Sequence, residues 1–180
     1  VERHAIIDGS EIEVGDVVIG LPSASPHTNG YSLIRKIVAN VDCAAVAPKL
    51  GCPPIDCLLE PHRSYLSDVD AIEAAGVQIR GLVHITGGGL VENPPRILRA
   101  DVAMEIDLNG WQVPALYTWL AELGGVAASE MRRVFNMGLG MLVVVKAKDA
   151  DTVIACSEFG GSVVGRIKDR REAAVEFVLG

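Results

Sequence analysis

One run, residues 139–146, decides the kind of core this chain builds. It carries three consecutive valines, Val143, Val144 and Val145, and β-branched side chains suit the pleated surface of a strand. A second apolar run, residues 16–21, reads as a buried strand. Residues 77–85 and 101–106 add two more, and residues 162–168 and 173–179, joined by the charged turn at 169–172, read as a closing hairpin. Only 4% of the residues are aromatic, so the core is built from Val, Ile, Leu and Ala.

Helical patterns lie between these strands. Thr28 or Asn29 is placed to cap a helix running to about Val41. Short helices follow at 55–60 and 64–75, separated by Pro61. A short helix starts near Leu90, and residues 113–123 form a longer one that Gly124-Gly125 stops. Ser129 offers a cap for a turn through Arg133, and residues 149–159 are amphipathic. Strands and helices mixed without regular alternation predict an α+β fold, layered α/β/α, with a mixed sheet covered by helices. At 180 residues the chain fits one domain, residues 1–180, which buries roughly 70% of its unfolded surface.

The net charge of −7 repels phosphodiester backbones, and no basic stripe interleaved with aromatics offsets it, so nucleic acid is set aside as a partner. No apolar run is long enough to span a bilayer and no signal peptide precedes the fold, so no membrane partner is expected. The cysteines Cys43, Cys52, Cys57 and Cys156 show no C-x-x-C pair and no zinc spacing. Cys52, Cys57 and His62 are conceivable ligands around one turn, but free thiols in a reducing cytoplasm are the expectation, with no metal site. The chain opens on Val1 rather than Met, which suits a fragment or a processed product.

Three loops offer chemistry. Ser23-Ala-Ser-Pro-His-Thr-Asn-Gly30 joins a buried strand to a helix, the place where α/β proteins hold ligands. His27 is its obvious proton carrier, and Ser25, Thr28, Asn29 and Gly30 supply hydroxyl, amide and backbone groups; plain helix capping is the structural alternative. In the second loop, a strand bearing His84 runs into Thr86, Gly87, Gly88 and Gly89, where amides approach an anion without hindrance from Cβ atoms. The P-loop and dinucleotide spacings are absent, and a tight turn is the alternative. His84 reads as a structural histidine. The third stretch, Glu130-Met-Arg-Arg-Val-Phe-Asn-Met-Gly-Leu-Gly-Met141, reads as architecture, with Asn136 bonding its own backbone. Arg63 and Arg96 are possible phosphate partners.

In order, Ser-x-x-Pro-His-Thr-Asn-Gly-Tyr-Ser-Leu from Ser23, His-Ile-Thr-Gly-Gly-Gly-Leu from His84 with Glu92-Asn93, and Phe-Asn-Met-Gly-x-Gly-Met from Phe135 resemble the aminoimidazole ribonucleotide synthetase family. The likeness runs from Asp8 to the last strand. It implies the carboxy-terminal domain of an ATP-dependent cyclo-ligase that closes the imidazole ring of formylglycinamidine ribonucleotide in purine biosynthesis, and a cytoplasmic setting. It also implies that an absent amino-terminal domain holds most of the ATP and Mg²⁺ contacts and the homodimer interface, so that the chain alone is inactive. By the same resemblance His27 is catalytic, and Ser25, Thr28, Asn29, Gly30, Thr86 to Gly89 and Asn93 bind substrate or phosphate. The chain departs from the family at Ser25, where Gly is common, at His62, where Thr is common, and at Pro94 and Val134. Thiamine-monophosphate kinase, selenophosphate synthetase, a hydrogenase maturation factor, the glutamine-dependent amidine synthetase, or a non-catalytic ligand-binding module are the competing expectations.

Overall fold

A computed structural model describes residues 6–39, 41–42 and 50–180. Six strands form one mixed sheet: β1 (Val17–Pro22), β2 (Gly81–His84), β3 (Val102–Asp107), β4 (Leu139–Val145), β5 (Ser162–Asp169) and β6 (Val175–Val178), in the order β2-β4-β1-β5-β3-β6. All pairings are antiparallel except β3 with β6. The helices are α1 (Tyr31–Val38), α2 (Pro54–Leu59), α3 (Leu66–Ala74), α4 (Gly89–Glu92), α5 (Ala115–Gly124), α6 (Ala128–Val134) and α7 (Ala150–Cys156). The α+β class and the mixed, helix-covered sheet are as the sequence predicts.

The valine run occupies the interior of the sheet. Side chains alternate across a strand, so Val144 joins Val18, Val83 and Met104 in one core while Val143 and Val145 join Ile19, Leu21 and Ile72 in the other. Both faces of β4 are therefore dry. A third cluster, with Tyr117, Trp119, Leu120 and Phe135, packs α1, α5 and α6 together. Buried Arg80 pairs through one terminal nitrogen with Asp16 at 3.0 Å and Glu13 at 2.8 Å.

Four expectations are corrected. There is no closing hairpin, because β3 lies between β5 and β6. β3, whose Val102, Ala103, Met104 and Ile106 are all buried, is thereby hydrogen-bonded along both edges. Lys168 ties the three strands together through Glu105 and Glu176. Neither Thr28 nor Asn29 caps α1. Both side chains bond back to the His27 carbonyl, at 2.6 and 2.7 Å, and Gly30 in the left-handed region starts the helix. Ser129 is no cap either, since α6 begins at Ala128 after Ala127. Cys52 and Cys57 are joined as a disulfide and only Cys156 is free among the described cysteines; Cys43 lies outside the described residues.

Candidate functional site

The sheet brings the two predicted corners together. Strands β1 and β2 both pair antiparallel with β4, so they run parallel to each other on its two sides and end at the same edge. Met141 of β4 is opposite both Leu21 and His84. The loop after β1 and the loop after β2 therefore leave the sheet side by side.

His27 clamps them. Its Nδ1 donates to the carbonyl of Ile85 at 3.1 Å, and its Nε2 lies 3.0 Å from the Tyr65 hydroxyl, which in turn lies 3.1 Å from the carbonyl of Pro22. A Cβ on Gly140 would collide with the Tyr65 hydroxyl and the His27 ring, so glycine at the start of β4 is what lets this bridge cross the strand. The backbone there is tense, with φ of 53° at His27 and 59° at Thr28, a left-handed conformation that costs non-glycine residues roughly 1–3 kcal/mol each. The closely fitted surroundings hold them in it.

The line of contacts has a proton problem. Carbonyls stand at both ends, so three contacts need three protons. A neutral imidazole brings one and the tyrosine hydroxyl a second, whereas an imidazolium would fill all three. Burial decides the other way. The ring is 1% exposed, and loss of solvation pushes its pKa down to about 4, against the bond to Ile85 and with the help of the neighbouring His62 and His84. At neutral pH the network is thus neutral, with one contact lacking a proton.

Asn93 and Asn136 fix the two loops from below. Asn93 is 1% exposed; its Oδ1 accepts from the amide of Thr86 and its Nδ2 donates to the carbonyl of Gly87 at 2.9 Å. Asn136 reaches further than its own backbone. It accepts from the Gly138 amide, the Tyr117 hydroxyl and the Ser23 hydroxyl, and donates to the Ser25 carbonyl at 2.8 Å.

The predicted residues thus divide by depth. Ser25, His27, Gly89 and Asn93 are buried, while Thr28, Asn29, Gly30, Thr86, Gly87 and Gly88 reach the surface. Gly89 serves packing, since a Cβ there would strike the last carbonyls of α6 at Arg132, Arg133 and Phe135. Gly87 is open, with the Asn29 Oδ1 3.4 Å from where its Cβ would stand. The amides of Gly87 and Gly88 donate to no group among the described residues, which suits an anion. Ser25 lies outside the left-handed region, so its departure from glycine costs no strain.

Arg63 is not available as a phosphate partner. It is paired with Asp68 through two 2.8 Å bonds and covered by the Phe159 ring. Arg96 is exposed at the end of a short 3₁₀ turn. Sequence reasoning missed Tyr65, whose position inside a predicted helix gave no signal, and it missed the grouping of His62 and His84 with His27. A hollow of about 300 Å³ opens beside them, lined by Pro22, Glu60, His62, Arg63 and Phe159 among others.

Comparison with known proteins adds a family. Residues 13–178 match the model for "AIR synthase related protein, C-terminal domain". The chain is 46% identical over 168 residues to the phosphoribosylformylglycinamidine cyclo-ligase of Bordetella pertussis, covering 93% of this chain and 48% of that protein. It is 45% identical over 182 residues to the enzyme of the same name from Burkholderia cenocepacia, covering 99% and 52%. The chain spans about half the length of these curated relatives. Among solved structures, the hydrogenase maturation protein HypE of E. coli aligns with a TM-score of 0.58 at 18% identity, over 94% of this chain and 47% of that one. Thiamine monophosphate kinase from Aquifex aeolicus aligns with a TM-score of 0.53 at 14% identity, over 94% and 51%. At such identities the likeness speaks for the fold alone.

Proposed function

Because the chain belongs to the AIR synthase related family as its carboxy-terminal domain, we propose that it is the substrate-holding half of an ATP-dependent cyclo-ligase that converts formylglycinamidine ribonucleotide to aminoimidazole ribonucleotide. The observation that carries this reading is the pairing of the two corners: the imidazole network of His27 and Tyr65 in one, and the undonated amides of Gly87, beside Asn29, and Gly88 in the other. The 45–46% identity to enzymes of that name favours it over the kinase and maturation-factor readings, which rest on structural neighbours at 14–18% identity.

In this reading Gly87 and Gly88 hold a phosphate, and Asn29, Thr28 and Thr86 orient the groups around it. ATP, when bound, supplies the phosphoryl group that turns the formyl amide oxygen into a leaving group. Closing the ring then requires a substrate nitrogen to lose a proton. The ring of His27 is buried with both nitrogens engaged, so the proton passes to it through the Tyr65 hydroxyl; His27 acts as a base by way of Tyr65, and its lowered pKa lets the proton leave again. The described corner offers amides for an anion and not free carboxylates for Mg²⁺, since Glu92 beside it is paired with Arg133. We assign Mg²⁺, most ATP contacts and the homodimer interface to an amino-terminal domain, and the cytoplasm to the whole.

Full-length enzyme carrying His27→Ala is expected to lose at least a hundredfold in kcat/KM, within the range that general base catalysis supplies. The 180-residue chain alone, given ATP, Mg²⁺ and substrate, is expected to close no ring. Unchanged turnover in the variant removes His27 from the mechanism, and ring closure by the chain alone removes the division of labour.

A further inference from the structure

Two exposed imidazoles meet beside the buried one. His62 Nε2 and His84 Nε2 lie 3.1 Å apart with their rings tilted by 51°. One nitrogen of each of His27, His62 and His84 lies within 4.8 Å of the others. His62 comes from the turn after α2 and His84 from the end of β2, so the fold rather than the local sequence brings them together. Two imidazole nitrogens bound to one tetrahedral zinc ion at its usual bond length stand about 3.3 Å apart. The observed separation is within a few tenths of an ångström of that value.

We propose that His62 and His84 chelate a divalent transition ion of the zinc, nickel or copper class through their Nε2 atoms, with solvent filling the remaining positions. Imidazole is a preferred ligand for such ions, whereas Mg²⁺ and Ca²⁺ prefer oxygen. His27 acts as the floor of the site and not as a direct ligand. Its ring is stacked on His62 at 4.0 Å and 7°, so the two rings cannot aim at one point, but the stacking holds the His62 plane in place. The cationic side chain next to His62 is neutralised, because Arg63 is paired with Asp68. Glu60 lines the same hollow as His62 and adds a negative charge that favours a cation. When the ion binds, each neutral ring carries its proton on Nδ1, which leaves both Nε2 lone pairs free for the metal. The assignment does not depend on the cyclo-ligase reading, since it concerns the metal alone.

The test is a calorimetric titration of the EDTA-stripped 180-residue chain with ZnCl₂ and, separately, MgCl₂. One zinc per chain at micromolar affinity is expected, with no saturable uptake of magnesium. His62→Ala and His84→Ala should each weaken zinc binding at least tenfold, and His4→Ala, at the remaining histidine of the sequence, should leave it unchanged. Both replaced rings are exposed, and circular dichroism checks that the variants are folded. In the unaltered chain, zinc should move the ring resonances of His62 and His84. Absence of saturable zinc uptake, full affinity in either ring variant, loss of affinity in His4→Ala, or unmoved ring resonances would each overturn the proposal.

Discussion

At the scale of single residues, His27 controls how the fold responds to acid. Its pKa is about 4 in the folded chain against 6.5 for a free imidazole. The unfolded ring therefore gains a proton below pH 6.5, while the folded ring gains one only below about 4. Stability is highest above 6.5 and falls as the pH drops between those values, by on the order of 3 kcal/mol in total. Urea midpoints measured from pH 7 down to 5 should decline in the unaltered chain and decline less steeply in His27→Gln. Parallel slopes would show that the ring is solvated in the folded state. His84 is shifted in the same direction, but it is present in both proteins and cancels from the comparison. The loop bearing His27 was legible as a candidate site because a histidine stood between a strand and a helix. Its burial was not, since the residues that cover it, Tyr65 and His62, come from elsewhere in the chain.

At the scale of elements, one amide ties the start of β4 to the loop after β1. Asn136 serves the Gly138 amide, the Tyr117 hydroxyl and the Ser25 carbonyl at once. Replacing it by Ala strands three buried groups, each worth roughly 1–3 kcal/mol when unsatisfied. Asn136→Ala should destabilise the chain by about 3 kcal/mol, and Ser23→Ala, which removes one long 3.2 Å bond to the same amide, by less than about 1 kcal/mol. Equal effects in a urea titration would mean that the network does not act through Asn136. Period and punctuation in the sequence located the strands and most helices, because a run such as Val143 to Val145 has few other uses. They failed at partner choice. The last two strands look like a hairpin locally, yet β6 lies parallel to β3, because pairing the backbone edge of β3 is a long-range demand that no local pattern expresses. The helix caps failed for a related reason: Thr28 and Asn29 spend their polar groups on the strained turn at His27.

At the scale of the whole molecule, parallel alignment of β1 and β2 across β4 accounts for the site. It places a loop with hydroxyls and an amide against a loop reduced to backbone, and the bridge from His27 to Ile85 keeps them in register. The grouping of these loops was inferable from the order of motifs, but their contact required the sheet order. The function proposed for the chain depends on the two loops acting as one ligand site. The most direct measurement is a ¹⁵N NMR titration of the 180-residue chain with formylglycinamidine ribonucleotide. Saturable shifts should appear together at the amides of Thr28 to Gly30 and of Thr86 to Gly88, with one common affinity. Shifts at only one loop, shifts centred elsewhere, or no saturation would contradict the account.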